Sequence, residues 1–516
     1  MVRFRRNTGR PVGQCTRIMR GMTSTPALDR LPGLDATVRA ILRDWRVPGL
    51  ALAVVADGEV LDARGYGYAD LEQKRPVTPD TTFAIGSCTK AFTTTALAML
   101  VERGALDWDR PVRDYLPGFR MLDEVAGARV TARDLACHRT GLPSHDPVWY
   151  GAGVSRHELV KRLAYLAPTR DFRSAYQYNN LMYIAAGVLV EAISGMTWED
   201  FTRRRILEPL GMHRSSFSPA RALALGGLAL PYMERDGRAV RIPFMAEGED
   251  ALSAAGWIHS SVMEMSTWLR LHLAGGAAPG VGQLVAADRL AETHTPQVVA
   301  PEPAPMFSAY PELAYMTYGL GWRNAGYRGN RIVMHGGAID GYCAHTSFMP
   351  ELGYGIVVLS NLDGQPAAQM VAYRIYDLLL GLEPIDWSTR IRTRTAEARS
   401  ATEASLARAR AARVDPDVAT EPVSACVGRY RHPGYGDVSV TAAGDAITLT
   451  HNTLLYAGSR LGANAFELAN ALIGRPRFVR FLLDAAGRVG ALAIQFELGA
   501  EEIVFQRIPQ VKPSPT

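Results

Sequence analysis

Phe83-Ala84-Ile85-Gly86-Ser87-Cys88-Thr89-Lys90 opens a run of helical periodicity that continues to about Arg103, where Gly104 stops it. Ser87 and Lys90 lie three positions apart, so on a helix their side chains share one face and can meet. A serine hydroxyl is a poor nucleophile until a neighbouring base takes its proton. An amine can do this only when its pKa is lowered, which burial at a helix start achieves. The same helix start turns backbone N–H groups toward developing negative charge. Cys88 points about 100° further round the helix and reads as packed rather than reactive. Ser-x-x-Lys recurs by chance in many chains, so its weight comes from what accompanies it.

Two further segments accompany it. Tyr176-Gln177-Tyr178-Asn179-Asn180 precedes a second helical run that begins at Leu181. A buried phenol beside a lysine can ionise more easily and act as a base, and Asn180 can hold a substrate amide or the lysine. Whether Tyr178 or Lys90 is the base stays open at this point. His335-Gly336-Gly337-Ala338 ends a strand-like run. Paired glycines weaken a strand and mark close approach of a backbone or ligand, so this edge is expected to line the site and to offer the Ala338 N–H. Taken singly, the second segment reads as an ordinary cap and the third as a bulge. Their order and spacing behind Ser-x-x-Lys favour the catalytic reading.

On these residues the chain resembles the β-lactamase and penicillin-binding-protein superfamily, particularly its class C-like serine hydrolases. The resemblance runs over about residues 35–382. It includes LVERGALDWDRPVRDYLPGF at 100–119, LACHRTGLP at 135–143, YNNLMYIAAG at 178–187 and HGGAIDGY at 335–342. It implies Ser87 as the acylated serine, Lys90 as its partner, and Tyr178 and Asn180 as a Tyr-x-Asn pair. It also implies an oxyanion hole from the N–H groups of Ser87 and Ala338, with Gly336 and Gly337 beside the substrate. His335-Gly336-Gly337 stands where penicillin binders carry Lys-Thr-Gly or Lys-Ser-Gly. Lys74, Lys90, Lys161 and Lys512 are the only lysines, and none precedes Thr-Gly or Ser-Gly. A permanent cation is thus replaced by a group expected to titrate near neutrality. His335 is expected to orient Tyr178 or a substrate terminus, and efficient β-lactam hydrolysis is not expected.

Superfamily members with histidine at this place include esterases, D-aminopeptidase-like peptidases, transesterases and peptide-cyclising enzymes. The expected activity is a serine hydrolase forming an acyl-enzyme at Ser87, a peptidase or amidase on short peptides that include D- or non-standard residues. Carboxylesterase or transesterase, peptide-cyclising acyltransferase, and weak β-lactamase or acylated sensor are the alternatives. No metal or cofactor is called for.

Composition sets the bounds. With 516 residues, 47% apolar and 21% charged, the chain has the make-up of a soluble globular protein. A net charge of +5, scattered and interleaved with acids, argues against nucleic acid or an anionic membrane as partner. A small molecule or short peptide is the expected partner, with oligomerisation open. Cys15, Cys88, Cys137, Cys343 and Cys426 lie far apart with no metal-ligand spacing, so neither a disulfide framework nor a zinc site is expected. Scattered thiols, with no apolar signal stretch after the basic start, point to a cytoplasmic protein. No run approaches the ~20 apolar residues of a membrane span.

The fold class expected is α+β. Strand-like runs at Leu50–Ala56 and Val60–Gly65, around an Asp57-Gly58 hairpin signal, are mirrored by runs at Leu320–Arg323, Arg331–His335, Ala344–Met349 and Gly355–Ser360. Helical stretches fill the middle, so the terminal strands should share one antiparallel sheet with a helical domain inserted. His138 and His145, flanking a turn, are read as structural. Residues 1–28 read as a disordered extension, 29–384 as the hydrolase domain, and 385–424 as a helical linker. Residues 425–510 carry eight short turn-punctuated runs, a small antiparallel barrel similar to the lipocalin-like domain of some superfamily members.

Overall fold

The computed structural model describes residues 31–244, 250–300, 310–413, 422–470, 476–496 and 501–509. The extension expected over 1–28 and residues 414–421 of the expected linker lie outside these.

The chain starts with α1 (Leu34–Asp44) and the hairpin of β1 (Gly49–Ala56) and β2 (Glu59–Asp70). Asp57 and Gly58 both take positive φ, 52° and 78°, the primed turn that suits a two-residue hairpin. A short β3 (Arg75–Pro76) follows. The helical middle contains α2 (Thr89–Glu102), α3 (Asn180–Ser194) and α4 (Val262–Leu273). The chain then returns to the sheet through β4 (Val298–Val299), β5 (Leu313–Tyr318), β6 (Arg323–Tyr327), β7 (Asn330–Ile339), β8 (Tyr342–Met349) and β9 (Tyr354–Ser360). The nine strands lie in the order β4-β5-β6-β7-β8-β9-β1-β2-β3, all antiparallel, with Leu50 opposite Ser360. The first and last parts of this body therefore close one sheet, as the strand pattern predicts.

β1 is an unbroken apolar run because both its faces are covered. Leu50, Leu52 and Val54 enter the core beneath α1 and α5 (Ala367–Leu379), while Ala51, Ala53 and Val55 face the core of the helical middle. The sheet departs from expectation at one place. Leu313–Tyr318 is a strand that the sequence pattern did not reveal, and the expected Leu320–Arg323 run is mostly the turn before β6. Gly321 takes φ +80° in that turn, and a register shift between Ala314 and Thr317 spoils the alternation of β5.

The expected exposed linker helix is α6 (Trp387–Ala411), which starts five residues earlier than its Arg-rich stretch at 392 suggests. Asp386 caps it by accepting from the Thr389 N–H at 3.0 Å, and Trp387 and Ile391 are buried beside Tyr373 and Tyr310. At its far end Arg410 pairs with Glu467 of the C-terminal unit. The helix is thus a strut anchored at both ends.

The C-terminal unit is a closed barrel of β10 (Gly428–His432), β11 (Gly436–Ala443), β12 (Ala446–His451), β13 (Leu454–Arg460), β14 (Ala465–Ala469), β15 (Arg477–Leu483), β16 (Val489–Gln495) and β17 (Ile503–Arg507). Tyr430 opposite Arg507 closes it. Alternate residues such as Val438, Val440, Ile447, Leu449 and Phe505 fill the interior, and these strands coincide with the eight runs read from the sequence. Among the described residues no single helix is long and apolar enough to cross a membrane, and no cluster of His, Cys, Asp or Glu could hold a metal ion.

One buried ionic centre fixes the turn on which the site leans. Asp134 is fully buried, accepts from the Thr131 N–H and hydroxyl at 3.0 Å each, and binds Arg139 at 2.5 Å and Arg173 at 2.7 Å. Asp134→Ala would strand two largely covered guanidiniums, so urea unfolding should show a loss of about 3 kcal/mol. A loss below about 1 kcal/mol, the size of a surface pair, would contradict this account.

Candidate active site

Ser87 does not lie within α2 but on a 3-10 turn, Gly86–Cys88, that leads into it. The turn is pressed against β7. A Cβ on Gly86, whose φ is +52°, would stand 2.7 Å from the Ala338 nitrogen, and one on Gly337 would stand 1.9 Å from the Ile85 carbonyl oxygen. The two glycines thus let turn and strand edge meet, with the backbone nitrogens of Ser87 and Ala338 both at the contact. This is the close approach that the paired glycines of 336–337 suggest, although only Gly337 makes it. Gly336 is exposed, with ordinary spacing.

α2 is buried on every side from Thr89 to Leu100. Two of its threonines bond the neighbouring segment, the Thr93 hydroxyl donating to the Ala254 carbonyl and the Thr89 hydroxyl accepting from the Ile258 N–H. These bonds register α2 against residues 254–258, and so place the Ala255 carbonyl beside Lys90. Lys90 is fully buried. Its Nζ lies 3.0 Å from Ser87 Oγ, 2.8 Å from Asn180 Oδ1 and 2.7 Å from the Ala255 carbonyl oxygen. Burial pushes its pKa down to about 7, with the Asp146 carboxylate pulling the other way. A neutral amine has two N–H donors and one lone pair. Two of its three neighbours are carbonyl oxygens that can only accept, so the lone pair is left facing the Ser87 hydroxyl.

Tyr178 shares a cavity wall with Ser87, and its ring lies 4.9 Å from the Lys90 nitrogen. Burial pushes the phenol pKa well up, so Tyr178 holds its proton while Lys90 can release one. Of the two groups, Lys90 is the one whose neutral, proton-accepting form burial favours. The Tyr-x-Asn segment is held from behind. Asn179 caps α3 by accepting from the Met182 N–H at 3.2 Å, and its own N–H donates to His138 Nδ1 at 3.2 Å. His138 is buried with φ +61°, a structural role as expected.

His335 lines the cavity beside Ser87 but does not bond Tyr178, one of the two partners expected of it. Its Nε2 lies 2.9 Å from the Tyr318 hydroxyl and its Nδ1 2.6 Å from the Gly336 carbonyl oxygen, so it bonds Tyr318 rather than Tyr178. Burial, then the charges of Arg323 and Lys90, hold its pKa well below the usual histidine value. It does not supply a cation near neutrality. Arg323 on β6 supplies one, its Nη2 3.3 Å from the Tyr176 hydroxyl. Cys88 is buried, donates to the His335 carbonyl oxygen at 3.3 Å, and has its pKa raised to about 12 by burial.

Two cavities meet at Ser87. One, of about 530 Å³, has Arg323, His335 and His345 in its wall and no carboxylate. The other, of about 250 Å³, has Asp146, Asp340 and Asp363 in its wall and no cation. Asp340 accepts from the Tyr150 hydroxyl at 2.5 Å, and burial raises the pKa of both Asp340 and Asp363. Arg323, Tyr318, Asp146, Tyr150 and Asp363 escaped the sequence reading because they come from loops and strands with no local motif. Asp340 sits inside the HGGAIDGY stretch and could have been singled out there.

The beta-lactamase family profile matches residues 34–380 of this chain. A similar protein is the unguisins hydrolase ungD of Aspergillus violaceofuscus, 29% identical over 94% of this chain and 92% of its own length. Among solved structures, the octameric penicillin-binding protein homologue from Pyrococcus abyssi matches with a TM-score of 0.62 and 23% identity, covering 92% of this chain and 99% of that one. The class C beta lactamase from Rhodobacter sphaeroides matches with a TM-score of 0.54 and 24% identity, over 68% of this chain and 99% of its own. That second match covers a share close to that of the sheet and its helical middle, whereas the first extends over most of the chain. The sheet closed by its two ends, the serine turn under β7 and the profile match carry one conclusion: the chain belongs to the beta-lactamase family, whose fold is that of serine hydrolases.

Proposed function

We propose that this protein is a peptidase or amidase acting on short peptides through an acyl-enzyme at Ser87. The observation that carries the chemistry is the Lys90 amine, 3.0 Å from Ser87 Oγ with its other two neighbours both carbonyl oxygens. Neutral Lys90 accepts the Ser87 proton as Oγ bonds to the substrate carbonyl carbon. The N–H groups of Ser87 and Ala338 hold the oxyanion. The new ammonium is stabilised by Asn180, Ala255 and Asp146. On collapse, the carbon–nitrogen bond breaks and Tyr178 passes a proton to the departing amine, taking one in turn from Lys90. Water enters by the reverse path, attacks the acyl carbon and frees Ser87.

The substrate reading rests on the polarity of the cleft. A short peptide with free ends carries an ammonium and a carboxylate, and the cavities on either side of Ser87 offer carboxylates at one end and Arg323 at the other. Cavities of a few hundred Å³ suit a ligand of small-molecule size rather than a folded protein. The name of the Aspergillus relative, a hydrolase, supports water as the final acceptor.

A fluorophosphonate should add mass to the wild type and not to Ser87→Ala, read by intact-mass spectrometry. Lys90→Ala should lose about 10²–10⁴-fold in kcat/KM. Labelling of Ser87→Ala at another serine would overturn the assignment.

The neutral amine is the active form, so activity is low while Lys90 holds its proton and rises as it is lost. For an uncharged ester, kcat/KM should climb through about pH 7 and level off above it. A flat profile from about pH 5.5 to 8.5 would exclude Lys90 as base, since a group of pKa near 7 must titrate in that window.

A further inference from the structure

The barrel reaches the catalytic lysine through one loop. The turn between β12 and β13 carries Asn452 with φ +54°. Its side-chain amide donates to the carbonyls of Pro147 at 2.9 Å and Tyr150 at 3.0 Å, and the next residue, Thr453, donates its N–H to the Gly151 carbonyl at 3.0 Å. Gly151 is shaped for this contact, because a Cβ there would stand 2.1 Å from Thr453 Oγ1. A second tie joins the start of the loop to the barrel. The Tyr435 hydroxyl lies 2.6 Å from His145 Nδ1, while His145 Nε2 lies 3.0 Å from the Ala167 carbonyl oxygen. That carbonyl can only accept, so Nε2 carries the proton and Nδ1 accepts from Tyr435.

Between these ties lies Asp146. Its Oδ1 accepts from Trp149 Nε1 at 2.8 Å and from Asn180 Nδ2 at 3.2 Å, and the opposite end of the Asn180 amide accepts from Lys90 at 2.8 Å. We propose that Asn452 is a positioning residue for the catalytic lysine: the barrel turn holds loop 145–151 so that Asp146 stays bonded to Asn180 and keeps its charge directed at Lys90. The proposal rests on Lys90 being the base of the reaction proposed above.

The groups facing Lys90 define the expected sign. Cys88 lies on its own turn, Tyr178 and Tyr183 stand at the head of α3, His138 lies on the turn behind them, and His335 on β7. Burial holds both histidines neutral and keeps Cys88 protonated, and Arg323 lies beyond them. Asp146 is the carboxylate that opposes the downward effect of burial on Lys90. Releasing the loop lets Lys90 fall further, which moves the acid limb of the rate profile to lower pH.

The test is kcat/KM against pH for an uncharged ester in full-length N452G and N452D, with amide hydrogen exchange followed across 145–151. Glycine keeps the left-handed backbone and loses the amide. Aspartate keeps the shape but sets oxygen against two carbonyls. Both should displace the acid limb downward by about 0.5–1 pH unit, the size of a changed neighbouring charge, and speed exchange in the loop. Tyr435→Phe, which deletes one hydroxyl, should do the same to a smaller extent and serves if the turn variants do not fold. An unmoved acid limb in folded variants overturns the proposal, even with faster exchange, because the barrel is then only a brace. Failure of the underlying reaction reads differently, as a wild type that takes no fluorophosphonate at Ser87. In that case the positioning role falls with the reaction on which it rests, whatever the exchange shows.

Discussion

Taking one amine out of water is the constraint on which this structure turns. In the proposed reaction Lys90 acts only while neutral, and its pKa falls to about 7 because α2 is enclosed by the sheet, α3 and residues 254–258. Burying an amine without partners would be costly, and the Asn180 and Ala255 oxygens offset that by occupying both of its N–H groups. Those oxygens must in turn be held in place. Asn180 is set by the Asn179 cap and its His138 support, and Ala255 by the threonine hydroxyl bonds that register α2.

The charge around the nucleophile is arranged differently from what the His-Gly-Gly segment suggests. His335 reads locally as a replacement for a lysine, yet it is a neutral hydrogen-bonding link between Tyr318 and the Gly336 carbonyl. The positive charge on that side belongs to Arg323, one strand away. Separating the two tasks keeps a fixed cation out of contact with the lysine. A second cation beside Lys90 would lower its basicity further, and Arg323 instead stands against the Tyr176 and Tyr318 rings.

Legibility in the sequence follows the range of each interaction. Ser87 with Lys90, and Tyr178 with Asn180, are short-range pairs whose spacing survives in one dimension, and the eight barrel strands announce themselves through alternation and turns. Gly337 is legible as a close approach, but the sequence does not say that Ile85 is what it approaches. Asp146, Tyr318 and Arg323 reach the site only through tertiary packing, and no periodicity marks them. β5 was lost for a local reason, since its shifted register breaks the alternation that identifies a strand. The direction of the His335 pKa is the most instructive miss. A free histidine titrates near neutrality, and its burial, aided by the charges of Arg323 and Lys90, removes that property without any motif to announce it.

The pairing of β1 with β9 has a consequence for how the chain is made. Leu50 meets Ser360, so a strand that leaves the ribosome early finds its neighbour about 300 residues later. During that interval at the ~5–20 residues per second of synthesis, β1 is paired on one side alone, and its open edge is a strongly apolar template. Until β9 emerges, the helical middle has half a floor. The nascent protein therefore spends tens of seconds as a species whose main hazard is edge-to-edge association with other copies, and a chaperone that covers a single apolar strand would protect it through that window.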